Sequence, residues 1–397
     1  MLFVPPRKPT GCVVFVTAQV SEQSGATRCM FRLAEMLQLG GLRIIVIAPL
    51  DQEMEKQLLA KHIQCYSLNL IPLRGGRKIR SNLKFLVMLL PYILRVTRII
   101  RLNRADIVHV NEITDIVGML SGFFSGVPSV LHIRAHYDSR LMSRGLLLFA
   151  RIFVDRIIVP SQSVRTWVRA HMPSLDSRMT LIQDVGLDPD RFRIDTDGAC
   201  IRQELGVPAN TPMILLVSKL SPLKGHLVFL EAASLVARSH AAAVFVIVGD
   251  AMTDHIEEAQ YIRDQADLLR GQCQIRLLGF RGDTPEIFAA ADIFVHCPIY
   301  DDPFPTVVIE AMMMGKPVIG SAIGGIVEQI EPGVTGLLVP PNDSVALAAA
   351  ISRLIEDPKL RIRLGSAARC YAHERYDSTA QAKRQIFEYD KIIEEMG

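Results

Sequence analysis

Residues 301–325 read DDPFPTVVIEAMMMGKPVIGSAIGG, which indicates a loop, a helix and a strand in close succession. Pro303 and Pro305 favour the start of a helix, which continues through VVIEAMMM. Gly315 is typical of the residue that follows the end of a helix. The apolar run KPVIGS comes directly after it and predicts a strand. Such a unit is the building block of α/β proteins.

The same alternation of apolar runs and amphipathic stretches extends along the whole chain. The runs are almost continuously apolar, as in parallel strands that helices cover on both faces. They predict strands at residues 12–18, 42–48, 106–110, 129–133, 155–160, 213–218, 243–249, 274–280, 292–297, 316–321 and 335–340. The sequence therefore predicts α/β domains with doubly wound parallel sheets, whose ligands bind at the carboxyl ends of the strands.

A polar, turn-rich segment, DTDGACIRQELGVPANTP at residues 195–212, separates two series of predicted strands. A chain of 397 residues is long enough for two domains of ordinary size. We therefore predict one Rossmann-like domain at residues 1–200 and a second at residues 201–375. The polar helical stretch at residues 376–397 could cross back to the first domain.

The positive charge of the chain is concentrated in its first half. Residues 1–200 contain 26 Lys and Arg against 16 Asp and Glu, whereas residues 201–397 contain 18 against 25. Such asymmetry indicates contact with an anionic surface or substrate. The sequence has no basic strand interleaved with aromatic residues and no recognised nucleic-acid motif, so we expect no nucleic-acid partner.

One basic segment departs from the alternating pattern. Residues 74–104, RGGRKIRSNLKFLVMLLPYILRVTRIIRLNR, have an apolar centre that is too short to span a bilayer. Two interpretations stay open. The segment is either a solvated helix pair packed by its Leu and Ile residues, or a helix that lies on an anionic membrane.

The cysteines and the first residues indicate the compartment. The seven cysteines are scattered and contain no CxxC pair, as expected of a reducing environment without a zinc site. The first residues, MLFVPPRKPTG, lack the apolar core of a signal peptide. We therefore expect a cytoplasmic protein, attached to the inner face of the cytoplasmic membrane if the second interpretation of residues 74–104 holds.

Two lysines follow the predicted strand at residues 213–218. Lys219 and Lys224 lie in the sequence KLSPLKGH, which leads into the next helix. A loop between a strand and a helix N-terminus binds phosphate well, because free N–H groups and the helix dipole favour anions. Taken alone, the two lysines are also compatible with an ordinary solvated loop.

Two carboxylates stand on either side of the helix start in the opening stretch. Asp302 precedes the helix, whereas Glu310 lies one turn beyond Thr306 on the same face. Carboxylates accept hydrogen bonds from paired hydroxyls, so sugar rings are natural partners. The alternative for each is a charge that caps the helix. Gly324 and Gly325 open a further predicted helix, a third position where an anion could bind.

These residues carry a resemblance to a known family. The run DPFPTVVIEAMMMGKPVIGSAIGG, with LLGFRGDTPEIFAAADIFVHC before it and EPGVTGLLVPPND after it, resembles the retaining nucleotide-sugar glycosyltransferases of family 4. The similarity extends over nearly the whole chain and is most specific in residues 213–345. It implies the GT-B fold, in which two Rossmann-like domains face each other across a cleft. It also implies no metal and no cofactor, since the nucleotide-sugar is a substrate.

The resemblance assigns roles to individual residues. Glu310 would hold the ribose hydroxyls, and Asp302, at a position where Glu is usual, would lie beside the donor sugar. Lys219, where Arg is usual, and Lys224 would bind phosphate, and His132 would line the donor-sugar site. The catalytic candidates are thus His132, Asp302, Lys219 and Lys224. The candidates for nucleotide-sugar binding are Gly25, Ala26, Lys219, Lys224, Gly279, Phe280, Arg281, Asp302, Phe304, Pro305, Thr306, Val307 and Glu310.

The function that the resemblance implies is sugar transfer with retention of the anomeric configuration. The acceptor would be a glycan or a lipid-linked precursor of a polysaccharide. Two alternatives stay open, a nucleotide-sugar epimerase of the same architecture and a non-catalytic assembly protein. The second is raised by three departures from the family pattern, Ser24 in place of a first glycine, Lys219 and Asp302.

Overall fold

The computed structural model of the protein describes most of the chain, namely residues 11–21, 24–71, 79–137, 139–183, 190–251 and 256–396. The chain divides into two compact units. The first comprises Met1–Gly186 together with Ser378–Gly397, and the second comprises Leu187–Asp377. Residues 74–78, the start of the basic segment with two possible interpretations, lie outside the described residues.

The first unit is built around a seven-stranded parallel sheet with the strand order β3-β2-β1-β4-β5-β6-β7. The order reverses direction between β1 and β4, as in doubly wound folds. Its elements up to β7 are β1 (Cys12–Val16), α1 (Gly25–Leu39), β2 (Arg43–Ala48), α2 (Gln52–Ala60), β3 (Gln64–Ser67), α3 (Ile79–Leu102), β4 (Ile107–Val110), α4 (Ile116–Ser125), β5 (Ser129–His132), α5 (Arg140–Phe153), β6 (Arg156–Val159), α6 (Gln162–His171) and β7 (Met179–Leu181).

The second unit repeats this arrangement with six strands in the order β10-β9-β8-β11-β12-β13. All of its strand pairs are parallel. Two doubly wound parallel sheets are what the continuously apolar runs predict, and this prediction is confirmed. The elements are α7 (Ala199–Leu205), β8 (Met213–Val217), α8 (His226–Ala237), β9 (Val244–Val248), α9 (Ile256–Leu268), β10 (Gln274–Leu277), α10 (Thr284–Ala290), β11 (Ile293–His296), α11 (Thr306–Met313), β12 (Val318–Ser321), α12 (Ile326–Gln329), β13 (Gly336–Val339), α13 (Ser344–Glu356) and α14 (Pro358–Arg375).

Both faces of the first sheet are buried, because alternate residues of each strand face opposite sides. Val14 belongs to the core on one face, together with Val96 of α3. Phe15 belongs to the core on the other face, together with Met30 of α1. This arrangement explains why the central strands are apolar at every position rather than at every second one.

The last helix, α15 (Ser378–Met396), completes the first unit rather than the second. Its Tyr389 and Ile392 are buried in the same core as Phe15. The Tyr389 hydroxyl also lies 2.6 Å from Nδ1 of His109, a buried residue of β4. Apolar packing and one buried hydrogen bond therefore hold α15 on the first sheet.

The division between the units lies earlier than the predicted boundary at residue 200. The described residues from 190 onward pack on the second unit. Arg191 donates a hydrogen bond to the carbonyl oxygen of Gly282 at 2.6 Å, and a Cβ on Gly198 would lie 2.2 Å from the backbone nitrogen of Ala290. The polar composition of this segment marks a surface loop, but the loop is already part of the second unit.

Residues Ile79–Leu102 form one helix, α3, instead of the helix pair considered above. Pro91 lies inside α3 without ending it. Within the described part of the chain, no helix combines the length and the apolarity that crossing a membrane requires.

Candidate functional site

In the second unit, two loops meet at the carboxyl edge of the sheet, where β8 and β11 are neighbours. The loop after β8 carries Lys219 and Lys224, and the loop after β11 carries Asp302. The strand order reverses at this point, and ligands of doubly wound folds bind there. Three of the predicted catalytic residues therefore lie where the topology itself favours a ligand site.

Gly225 allows the first loop to pass directly against the end of β11. Its φ is +76°, and a Cβ at this position would lie 1.7 Å from the carbonyl oxygen of Cys297. Only glycine adopts this conformation and this approach without strain. The position of Lys224 next to the second loop depends on this close contact between two backbone segments.

Lys224 and Asp302 are in direct contact. Nζ of Lys224 donates to Oδ2 of Asp302 at 2.5 Å, and Nε2 of His296 lies 2.9 Å from the same oxygen. Asp302 is only 8% exposed. Burial raises the pKa of Asp302, but the Lys224 ammonium and His296 outweigh burial and hold the pKa well below its usual range. The carboxylate is therefore ionised at neutral pH, and Lys224 is its counter-ion.

His296 was not among the predicted site residues. This residue ends β11 and is 1% exposed. Burial lowers its pKa, which keeps the ring neutral at pH 7. Because Asp302 is ionised, we assign the proton to Nε2, which donates to the carboxylate. His296 could have been predicted, because it is a polar residue near the carboxyl end of the apolar run DIFVHC.

Glu310 lies on the inner side of α11. It is 4% exposed, and its Oε1 accepts a long hydrogen bond of 3.5 Å from the Thr306 hydroxyl. In the part of the chain that the structure describes, Oε2 is buried without a hydrogen-bond partner. A buried carboxylate oxygen without a donor is costly, so this atom is suited to a hydroxyl from a ligand.

The residues at the start of α11 have two different environments. Phe304 and Pro305 are buried, and the Pro305 carbonyl oxygen accepts a hydrogen bond of 3.1 Å from Gln329. Thr306 and Val307 are partly exposed and form the first turn of the helix, whose backbone N–H groups have no acceptor within the helix. Phe304 and Pro305 therefore fix the loop, while Thr306 and Val307 present N–H groups that no carbonyl oxygen of the helix accepts from.

Gly324 and Gly325 support the loop that carries Asp302. A Cβ on Gly324 would lie 2.4 Å from Oδ1 of Asp301, and one on Gly325 would lie 2.0 Å from the carbonyl oxygen of Pro303. The helix that follows, α12, has only four residues. The two glycines are therefore needed for close packing, and the expectation of a third anion-binding helix start is not supported.

The loop after β10 contains Gly279, Phe280 and Arg281, three of the residues predicted to bind the nucleotide-sugar. The Gly279 carbonyl oxygen accepts a hydrogen bond of 2.8 Å from Gly249, and Phe280 is 47% exposed. The guanidinium of Arg281 forms ion pairs with Glu204 and Asp283, both at 2.6 Å. Its side chain is thus fully engaged within the unit, which leaves the backbone of the loop to contact a ligand.

The remaining predicted residues belong to the first unit. Gly25 and Ala26 form the first turn of α1, and Ser24 precedes them without a side-chain capping bond. His132 ends β5 and has no exposed surface. Its ring lies edge-on to His109, with 5.6 Å between the ring centroids. Within the described residues neither of its ring nitrogens has a hydrogen-bond partner, and burial holds its pKa well below the usual range. A role at the donor sugar stays a prediction.

Two buried acidic residues beyond β4 were likewise not predicted. Glu112 and Asp115 follow the strand at the switch point of the first unit. Burial, followed by the charge of Asp115, raises the pKa of Glu112 to about 8. Burial raises the pKa of Asp115 to about 7, although its Oδ1 accepts a hydrogen bond from the Ala18 amide. The sequence HVNEITD could have indicated both residues, because acidic residues there follow directly after an apolar strand.

Comparison with known proteins gives two family matches. Residues 23–191 match the model of glycosyltransferase family 4, and residues 199–370 match the model of glycosyl transferases group 1. The two matches lie in the first and the second unit, apart from a few residues at the division.

The sequences of curated relatives match part of the chain. A D-inositol 3-phosphate glycosyltransferase of Corynebacterium glutamicum is 31% identical over 223 residues, which are 52% of this chain and 53% of that protein. The chain thus spans about half the length of the first curated relatives that it matches. An Escherichia coli UDP-Gal:alpha-D-GlcNAc-diphosphoundecaprenol alpha-1,3-galactosyltransferase is 26% identical over 67% of this chain and 70% of its own length.

A solved structure resembles nearly the whole chain. HepE of Anabaena, crystallised with UDP and glucose, is 26% identical and has a TM-score of 0.81, with 95% of this chain and 99% of that chain covered. The two family matches together cover most of the sequence, and the strand orders of both units agree with this likeness. The chain therefore belongs to the family 4 glycosyltransferases and has their GT-B fold.

Proposed function

We propose that the protein transfers a sugar from a nucleotide-sugar donor to an acceptor. The observation that carries this proposal is the contact of Lys224 with Asp302, beside Lys219, at the switch point of the second unit. Two lysines and the free N–H groups of α11 suit a diphosphate, and the unpaired oxygen of Glu310 suits a ribose hydroxyl. HepE, which was crystallised with UDP and glucose, supports UDP as the first nucleotide to test.

The proposed reaction depends on stabilising the negative charge of the leaving group. As the bond to the sugar breaks, negative charge grows on the departing nucleoside diphosphate. Lys219, Lys224 and the start of α11 would stabilise that charge without a metal ion. Asp302 and His132 would orient the donor sugar. The acceptor would attack from the face of the leaving group, so that the anomeric configuration is retained, as the family resemblance implies.

We propose that the acceptor is a lipid-linked or glycan precursor of a polysaccharide. The basic first half of the chain favours an anionic acceptor, and the name of the Escherichia coli relative specifies a sugar linked to a lipid diphosphate. The first unit would bind this acceptor and the second unit would bind the donor.

Sugar transfer and sugar epimerisation differ in their need for an acceptor. With labelled UDP-glucose or UDP-galactose alone, we expect no interconversion of the two sugars. Adding a membrane lipid extract that contains diphosphate-linked acceptors should release UDP and move the label into the lipid fraction. Interconversion without an acceptor would instead identify an epimerase. Tight UDP binding without any turnover, with either sugar and with extracts from several bacteria, would identify a non-catalytic protein.

A stripe of exposed leucines on α3 supports a peripheral membrane location. Leu86, Leu90 and Leu94 are 63%, 64% and 63% exposed and lie on one face of the helix. Residues 74–104 contain nine Lys and Arg and no acidic residue. Apolar side chains next to basic ones are the pattern of a helix that lies on an anionic bilayer. We therefore propose attachment to the inner face of the cytoplasmic membrane.

Vesicle sedimentation tests this attachment. We expect the protein to bind vesicles of phosphatidylglycerol and phosphatidylethanolamine, and the bound fraction to fall steeply as salt rises, because salt screens the basic residues. The double variant Leu86→Gln/Leu90→Gln should bind about tenfold more weakly, since it removes two side chains from the bilayer.

A matched control changes two exposed leucines elsewhere. Leu39→Gln/Leu268→Gln removes side chains that are 73% and 70% exposed and should leave vesicle binding unchanged. Binding that does not depend on salt, or equal losses in both double variants, would show that α3 does not hold the protein on the membrane.

A further inference from the structure

One carboxylate oxygen in the second unit is shared by two donors. Oδ2 of Asp302 accepts from Lys224 at 2.5 Å and from His296 at 2.9 Å. The Asp302 side chain is 9% exposed, and that of Lys224 is 23% exposed. Lys219, the other cation of the site, is exposed. The two proposed phosphate ligands therefore differ, since Lys224 already contacts an anion and Lys219 is the more exposed of the two.

The ion pair has a consequence for any diphosphate that enters this site. Lys224 is held by a buried carboxylate, which loses much of its stabilisation when its cation leaves. A diphosphate must therefore compete with Asp302 for the same ammonium group. The negative charge of Asp302 also opposes a second anion nearby.

His296 makes that competition possible. It is buried and neutral, and its Nε2–H donates to the oxygen that Lys224 also contacts. When Lys224 turns toward another anion, this hydrogen bond remains and keeps the carboxylate from being buried without any partner. The cost of releasing Lys224 is therefore lower than for a carboxylate held by the lysine alone.

We propose that Asp302 is an internal counter-ion that occupies Lys224 in the empty donor site and releases it to the diphosphate when the nucleotide binds, with His296 as the positioning residue that holds Asp302 in both states. This inference rests on the proposed function, because it concerns the same donor site. It gives Asp302 a role that does not require contact with the donor sugar.

The decisive measurement is the affinity for UDP without a sugar, by titration calorimetry. Asp302→Asn keeps the shape and an acceptor oxygen but removes the negative charge. We expect this variant to bind UDP about fivefold more tightly than the wild type, the size expected for a partly exposed ion pair. A residue that only contacts the sugar would leave the UDP affinity unchanged, and one that orients Lys224 for phosphate would weaken it. Either of these results overturns the proposal.

A double-mutant cycle tests whether Asp302 changes the UDP affinity through Lys224. In the background of Lys224→Met, the change Asp302→Asn should no longer raise the UDP affinity, since there is no ammonium group to release. An equal gain in both backgrounds would mean simple repulsion between Asp302 and phosphate, and would reject the counter-ion role. Asp292→Asn is the matched control. Asp292 pairs with Arg202 at 2.6 Å. It precedes β11 and therefore lies at the amino end of this strand, away from Asp302, so loss of the Asp292 charge should not change UDP binding.

Variants of His296 should change the UDP affinity in the opposite direction to Asp302→Asn. His296→Ala leaves Asp302 dependent on Lys224, so UDP binding should weaken by about threefold, and His296→Gln, which keeps an N–H donor, should restore it. Unchanged binding in His296→Ala would remove His296 from the proposal. If the wild type binds neither UDP, GDP nor ADP, the proposed function fails. If it binds UDP and Asp302→Asn binds no better, only the counter-ion inference fails.

Discussion

The variant Glu310→Ala is expected to bind UDP about ten- to a hundredfold more weakly than the wild type, because a hydrogen bond to a charged group contributes about 1.5–3 kcal/mol. Glu310 is 4% exposed, and its Oε2 has no partner within the described residues, so a ribose hydroxyl would fill an empty acceptor position. Titration calorimetry with UDP measures the change directly.

Glu310→Gln should cause a smaller loss, since the amide retains one acceptor oxygen without the charge. The control is Glu374→Ala, which removes an exposed carboxylate from α14 of the same unit. An affinity of Glu310→Ala equal to that of this control would contradict the assignment of Glu310 to the ribose. Far-UV circular dichroism on each variant separates lost binding from lost folding.

The variant Gly225→Ala should lose about 3 kcal/mol or more of unfolding free energy, because two costs add. A residue with a Cβ is strained at a φ of +76°, and the new atom would lie 1.7 Å from the Cys297 carbonyl oxygen. The backbone must move to relieve the contact, and Lys224, the preceding residue, would move with it. Denaturant unfolding and UDP titration should therefore both change.

Gly206→Ala separates the two costs. Gly206 has a φ of +66°, but a Cβ there would meet no atom within 4 Å. This variant should lose only about 1 kcal/mol, the cost of the left-handed conformation. If Gly225→Ala and Gly206→Ala lose the same unfolding free energy, the contact with Cys297 does not hold the loop.

The strands of the second sheet and the central strands of the first could be predicted from the sequence, whereas the two edge strands of the first sheet could not. Every predicted apolar run contains a strand of the structure, because strands covered on both faces are apolar throughout. β3 (Gln64–Ser67) and β7 (Met179–Leu181) were missed. Each lies at an edge of the first sheet, has one neighbour and is partly exposed, so its sequence shows no continuous apolar run.

The contacts of the candidate site could likewise be predicted only in part from the sequence. Spacing along the chain indicated that Lys224 and Asp302 both follow strands, and the strand order places these strands side by side. No sequence pattern showed that the two side chains are in contact, since that depends on the backbone approach at Gly225. His296 escaped for the same reason. Its partner lies six residues away across a turn whose shape the sequence does not specify.

The position of α15 on the first unit has a consequence during synthesis of the chain. Residues 378–396 are made after the whole of the second unit, yet they complete the core on one face of the first sheet. While the ribosome makes residues 187–377, the core on that face lacks Tyr389 and Ile392, and the part that α15 covers is exposed to water. Exposed apolar surface of this kind is what chaperones bind and what promotes aggregation of nascent chains. The first unit to be translated is thus the last to be completed.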